Sequence, residues 1–579
     1  MNSESRFVLA VVLMLAVLVG TSLLFPPGPS DDVPEAPRDE RVEDMDPAPA
    51  PDREAEAPGV GVVDDPPRLP ELTETGPIPE VAAPDLAQVP ERLVRVEGPL
   101  YTFTFSNIGA SARSVELPRF ESFTRPGPVE LVADSDAGVL GSRVVVGADT
   151  VDLRRLAFEV EPAEGLALAE GGPPESLTFR YTHPTEPFSF EVRYTFDPDA
   201  YVVQVSGRAR GLERGLLVTG LGPGLAFNEA DVNQERGAME YVANHLQEGI
   251  RTQGLTDIQR TRVDDGPFRW VAVKSRYFVM AVLPALDPGG AEFLGGVVAQ
   301  EWGEDDDPAQ VAVTQSLATG GTFAYRLLAG PQDYALLSSL GHDLQEVNPV
   351  GWRPLRPILR PFVAVVMWVL VFFHENLDIG YGWVLILFGV LMRVVLFPLY
   401  HKAMRAQLRN MAVQPLLKDI QTRYKDNPEK MQKELMKLYK EHGFNPLAGC
   451  WPMLLPFPIL IALFFVFQNT IELRGVPFAW LPDLAAKDPI FVLPVLLGIS
   501  MFLIQWISMR TIEDLNPQMK LMMWALPVGM VVIFANFPSG LNLYYLTANL
   551  ATLPQSWWIA NERKKVQAKG PPAPVEASS

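Results

Sequence analysis

A guanidinium stands inside an apolar run. Arg393 follows Trp383 by ten positions in the stretch Tyr381 to Tyr400, which holds no other charged residue. Ten helical residues rise about 15 Å, which puts the charge near the middle of a hydrocarbon layer about 30 Å thick. Arginine at that depth costs at least about 2.5 to 3.5 kcal/mol. Pro398, Tyr400 and Lys402 mark the inner boundary, and a long side chain can snorkel toward it. No Asp or Glu lies at comparable depth in another apolar stretch, so the alternative is water, in a cavity opening inward. A second set, Asn542, Tyr545, Asn549 and Thr552, has spacings of three, four and three that place four polar side chains on one helical face. Two explanations stay open for it: the wall of a wet cavity, or interhelical hydrogen bonding. Gln468, Ser500, Gln505 and Asn536 are weaker candidates of the same kind.

Covalent chemistry is not encoded in any motif. The single cysteine, Cys450, excludes an intramolecular disulfide and a multi-thiolate metal site. None of the six histidines is paired with His or Cys at ligand spacing, and no G-x-S-x-G elbow occurs. No catalytic residue, metal or cofactor is expected, and the chain is not read as an enzyme.

The elements that must hold these residues differ sharply along the chain. Phe7 to Phe25 is an apolar run behind Arg6, read within residues 1–25 as an uncleaved anchor since no A-x-A site follows. Residues 26–90 contain 16 prolines among acidic runs, too little apolar surface to offset ordering entropy, and are read as a tether. From residue 91 the period becomes two: Tyr101, Phe103 and Phe105 alternate with Thr102 and Thr104, and Phe188, Phe190, Val192, Tyr194 and Phe196 alternate with Ser189, Glu191, Arg193 and Thr195. Many such runs between turn residues predict a β-sandwich over 91–350.

Residues 351–579 are different. The twelve apolar residues Phe362 to Phe373 span about 18 Å as helix, too short to cross, and predict an interfacial helix over 355–376 on the outer surface. Spans are expected at 381–400, 450–471, 489–508, 519–536 and 539–560, the last being weakest by hydropathy. Prolines at Pro452, Pro456, Pro458, Pro494 and Pro527 predict kinks.

Charge orients them. Residues 26–350 carry 25 basic against 54 acidic residues, whereas 401–445 carries ten basic against five acidic. The positive-inside bias puts the second group in the cytoplasm and the acidic sandwich outside. Six spans, counting the anchor, then place both chain ends and the basic tail 561–579 inside. Within 401–445, the stripe Leu416, Leu417, Ile420, Tyr424 and the stripe Met431, Leu435, Leu438, Tyr439 flank Asp426-Asn427-Pro428, which predicts an antiparallel helical hairpin. Its basic surface suits ribosomal RNA, anionic lipid headgroups or acidic targeting partners alike.

Within Gly351 to Ala560 stand Arg393 with Phe397-Pro398-Leu399, Asn445 to Cys450, Glu472-Leu473-Arg474 with Pro477-Phe478-Ala479, and Phe537-Pro538-Ser539-Gly540. On these motifs the region resembles the YidC-type insertases of the Oxa superfamily, in the long Gram-negative form. The resemblance implies a five-span insertase core in the bacterial inner membrane, with a periplasmic, mutarotase-like super-sandwich. It also implies a hydrophilic groove open to the cytoplasm, in which Arg393 is the buried arginine and Tyr545 a lining residue. Hydrated segments of nascent membrane proteins would enter this groove while their apolar segments pass along the spans starting near Cys450 and Leu521, at Phe457 and Leu460. The implied partners are the Sec translocon, ribosome and signal recognition pathway, through hairpin and tail, and membrane lipids; DNA is not among them. The main rival is a transporter or channel whose Arg393 binds an anion, against which stand the lack of inverted repeats and of a charged ring. An anchored carbohydrate-binding protein would leave five further spans unexplained.

Overall fold

The computed structural model describes residues 90–568, except 148, 213–214, 286–290, 304–306, 350–355, 425–426, 442–456 and 511–516. The anchor at 1–25, all but the last residue of the tether, the entry motif Asn445 to Cys450 and the end of the basic tail lie outside the described residues.

β-Branched and aromatic residues at period two build two sheets. Thr102–Ser106 pairs antiparallel with Leu93–Glu97 and with Ala112–Glu121 in a five-stranded sheet. Ser189–Phe196 lies between Glu175–Thr182 and Val202–Arg210 in a fourteen-stranded sheet. The alternation decides which side chains meet: Phe105 stacks 4.9 Å from Tyr194 and 5.5 Å from Phe179, ring to ring, so the sheets bury their aromatic faces against each other. Phe188, Phe190, Val192, Tyr194 and Phe196 are all buried while Arg193 is exposed. Two short helices, α1 (Val232–Arg236) and α2 (Tyr334–Ser339), decorate this β-sandwich.

The rest is helical: α3 (Arg356–Leu377), α4 (Tyr381–Arg423), α5 (Pro428–Glu441), α6 (Phe457–Asn469), α7 (Val492–Met509), α8 (Pro517–Phe534) and α9 (Ser539–Ala568). α9 packs between α4 and α7, α7 also packs on α8, and α3 packs on α6. Gly389 brings α4 close to α9, since a Cβ there would sit 3.2 Å from Thr547; Gly498 does the same for α7, where a Cβ would lie 2.3 Å from Val531 of α8. Three helical stretches among the described residues are long and apolar enough to cross a membrane: Leu359–Leu377, Tyr381–Pro398 and Val492–Met509.

That result corrects the reading of Phe362 to Phe373 as too short to cross. The helix runs from Arg356 to Leu377, close to the expected 355–376, and its 22 residues rise about 33 Å, well beyond the twelve apolar residues alone. One face, with Leu359, Val366, Met367 and Leu370, is buried, while Val365, Trp368 and Phe372 are exposed. Arg360 near its start pairs with Glu346 of the sandwich. A second difference concerns residues 381–400 and 401–445, which were divided at the apolar boundary. The backbone does not break there: α4 is one helix of 43 residues, because a change of polarity leaves helical hydrogen bonding intact. The break comes after Arg423, and Asn427 accepts from the Lys430 N–H at 3.0 Å to open α5. Leu416, Ile420 and Tyr424 on α4, and Met431 and Leu435 on α5, are half-buried, and Leu438 is buried. The prolines act unequally. Pro458 and Pro494 occupy first turns, where the missing N–H costs nothing, and Pro527 lies inside α8; Pro452 and Pro456 lie outside the described residues.

Candidate functional site

α4 and α9 run side by side in parallel, and three contacts set their register. Phe388 meets Tyr544 (ring centroids 5.5 Å), Gly389 meets Thr547, and His401 stacks on Trp558 at 5.6 Å. The sequence offset is 156 to 158 along this seam. Arg393 departs from it: its guanidinium donates to the Gln555 side-chain oxygen, an offset of 162. The two side chains together bridge about one helical turn, roughly 6 Å, and because helical side chains lean toward the helix N-terminus, Gln555 reaches back toward the level of Arg393. Gln555 satisfies a donor and brings no opposite charge.

The four polar residues of α9 do not act as one set. Asn542 is fully buried and donates to the Phe534 carbonyl at 3.0 Å, joining α9 to the end of α8. Asn549 donates to Ser500 Oγ of α7 at 3.0 Å. Thr552 bonds its own helix at Ala548 O, 2.6 Å. Tyr545 packs edge-on to Phe534 at 5.3 Å and is half-buried. At about 100° per residue, Gln555 on the α4 side and Asn549 on the α7 side bound an arc of roughly 120°, within which Thr552 and Tyr545 fall. The structure thus joins Arg393 to Gln555 at one edge of the arc, on which Thr552 and Tyr545 also lie, and assigns Asn542 to packing. Gln555 was missed; its signal was available, since it stands three residues beyond Thr552. Phe457 and Leu460 occupy the first turn of α6.

A second polar cluster joins the sandwich to the helices. Arg276, in the turn before Phe278, donates from Nε to Gln468 O at 3.0 Å, from Nη2 to Ala485 O at 3.1 Å and from Nη1 to the Gln234 side chain at 2.9 Å. Arg474 reaches the other way, with Nε 2.6 Å from Glu229 and Nη2 2.8 Å from Glu121 O, and lies over the Phe123 ring at 4.3 Å. Its side chain is 4 % exposed and that of Glu229 8 %, so each charge depends on the other. Burial pushes the Glu229 carboxyl above its ordinary range, partly opposed by Arg474. Glu235 is pushed by burial to about 7, although it accepts from the Asn228 and Glu229 N–H groups at 2.8 and 2.9 Å. The segment 484–487 is stitched in turn to the start of α9, through Ser539 N to Ala486 O at 2.7 Å and Gly540 N to Leu484 O at 2.8 Å. Among the described residues no cluster of His, Cys, Asp and Glu could hold a metal ion.

Comparison with known proteins follows the same division. Residues 93–365 match the family profile described as the YidC periplasmic domain, and residues 372–567 that of the 60Kd inner membrane protein. Curated relatives include the membrane protein insertase YidC of Chlorobaculum tepidum, 31 % identical over 511 residues, covering 83 % of this chain and 84 % of the relative. The protein of the same name from Geotalea uraniireducens is 29 % identical over 569 residues, covering 96 % and 99 %. Among solved structures, an active YidC insertase with its first transmembrane domain resolved is 18 % identical, with TM-score 0.33, over 82 % of this chain and 95 % of that one.

Proposed function

The chain belongs to the YidC family of membrane protein insertases, and we propose from that premise that it receives hydrated segments of nascent membrane proteins on the polar arc of α9 between α4 and α7. Arg393 is the group that attracts them. The observation that carries this reading is the position of Arg393, a half-buried guanidinium in an apolar stretch of helix that donates to the Gln555 side chain at the edge of the polar arc of α9. A half-buried cation beside a polar arc suits an acidic or polar segment arriving from the cytoplasm. A polar arc partway through the membrane shortens the apolar barrier that such a segment crosses.

Tyr545 and Asn549 line the arc's outer part, Asn542 belongs to its support, and Phe457 and Leu460 begin the apolar path along α6. The spans number six with the anchor, both ends are cytoplasmic, and the sandwich is periplasmic, a disposition supported by the basic excess of 401–445. Helix α3, long enough to cross, is read as lying at the outer surface because a further span would put those basic residues outside. The hairpin and tail offer basic surfaces to the ribosome and signal recognition pathway, and the Sec translocon and membrane lipids are further partners.

The test is site-specific photocrosslinking from Tyr545 and Leu460 to a ribosome-stalled nascent membrane protein. Crosslinks that require the translating chain are expected. Their absence in a folded, membrane-integrated protein would move the assignment to transport of a small anion.

A further inference from the structure

A cleft of about 1240 Å³ opens where the sandwich meets the outer ends of α6 and α8. Its two walls differ in chemistry. On the helical side stand Phe464 of α6 and Val532 and Ile533 of α8, of which Val532 is 66 % exposed. On the sandwich side stand Asp231, Gln234 and the Tyr277 ring, with Lys487 entering from the loop before α7. The Tyr277 hydroxyl is buried in this wall and has no hydrogen-bond partner among the described residues; burial raises its pKa well above the ordinary range, so it keeps its proton and is a donor.

Asp231 and Lys487 form the loosest ion pair of the joint. Their charged atoms are 4.0 Å apart and their side chains are 49 % and 56 % exposed, in contrast to the tight Arg474–Glu229 pair beside them. Separated, exposed opposite charges contribute little to each other, so a zwitterion can enter between them without losing much.

We propose that this cleft holds an outer-leaflet phospholipid whose headgroup carries a primary ammonium, with the ammonium at Asp231, the phosphate at Lys487 and the acyl chains along Phe464 and Val532. Amphipathic walls at the mouth of two membrane helices match an amphiphile. The balance of charge selects its headgroup: Glu229 is neutralised by Arg474, and Asp231 and Asp483 line the cleft beside Arg276 and Lys487, a neutral lining that suits a zwitterion better than an anionic headgroup lacking an ammonium. A quaternary ammonium matches the charge but cannot donate a hydrogen bond to Asp231. The assignment rests on α6 and α8 crossing the bilayer and is independent of the Arg393 groove.

The full chain, reconstituted in nanodiscs, would be irradiated with phosphatidylethanolamine, phosphatidylcholine or phosphatidylglycerol carrying the same acyl-chain diazirine, and labelled peptides mapped. Labelling of peptides containing Phe464 and Val532 is expected to be at least about fivefold stronger from phosphatidylethanolamine than from phosphatidylglycerol, the equivalent of ~1 kcal/mol. Asp231→Arg is expected to abolish that preference, with labelling around exposed Trp368 of α3 unchanged as a check on folding and membrane placement. Equal labelling by all three lipids, or a preference that survives Asp231→Arg, would overturn the site and leave only ordinary lipid contact. Failure of the Trp368 label as well would overturn the membrane placement on which the site rests.

Discussion

Arginine does opposite work in two parts of this molecule. At the sandwich joint, Arg474 is almost sealed from solvent, faces a carboxylate at 2.6 Å and lies over an aromatic ring. In the helical core, Arg393 is half-buried and meets an amide. The first arrangement fixes two bodies together, because removing either partner strands a charge away from water. The second holds a cation at the edge of a polar arc through a hydrogen bond to a neutral amide. Identical side chains thus become a clamp or a reception group according to what their neighbours can accept.

Breaking the clamp should have the largest effect. Arg474→Ala leaves Glu229 buried without its ion-pair partner and is expected to destabilise the docked state by about 3 to 5 kcal/mol, measured as protease sensitivity of the joint and a lowered Tm in detergent. Glu229→Gln should be milder, as the amide still accepts from Arg474. The core arginine should give the reverse pattern: Arg393→Ala is expected to leave Tm nearly unchanged but slow insertion of substrates with charged outer tails by about tenfold, ~1.4 kcal/mol in the barrier. Normal insertion in cells depleted of other insertase would refute the role given to Arg393.

The joint should also respond to pH. Glu235 binds its proton more tightly in the folded chain, at about 7 against an ordinary 4.5, because burial opposes its charge. The folded state then holds more protons than the unfolded one between those values, so this group's stabilisation is present below about 4.5 and is lost as pH rises toward and through 7. A Tm falling between pH 5 and 8, with a shallower slope in Glu235→Gln, is expected; identical slopes would assign the dependence elsewhere. The smallest effect belongs to the arc. Cysteines at Tyr545 and Thr552 should react with a water-soluble thiol reagent from the cytoplasmic side and a cysteine at Asn542 should not, while Asn549→Ala should cost only about 0.6 kcal/mol, typical of one interhelical hydrogen bond.

What the sequence disclosed follows from distance along the chain. Period-two runs such as Phe188 to Phe196 are local, and every apolar position in that run is buried. The polar stripe of α9 is local too, so its existence was legible, but its division into packing and lining residues was not. That division depends on Ser500 and Phe534, which belong to other helices. The partner of Arg393 needs the register between α4 and α9, 162 residues apart at the contact. The joint was least visible, because Arg474 and Glu229 are separated by 245 positions, and the motif Glu472-Leu473-Arg474 carried a resemblance without indicating what Arg474 contacts. The extent of helix α3 was legible, 355–376 against Arg356–Leu377, but its capacity to cross was not, because only its twelve central apolar residues were counted.

The unbroken α4 has a mechanical consequence. It is a continuous helix about 65 Å long, with Pro398 and Pro415 inside it, and its first turns are packed by Val384, Leu385 and Phe388. Arg393 lies only about 18 Å from its start. If the helix tilts about its packed end, its far tip, where α5 turns back, sweeps between three and four times as far as Arg393 does. A large body gripping the hairpin therefore works on a lever with strong reduction, so coarse movement at the tip becomes fine adjustment at the arginine.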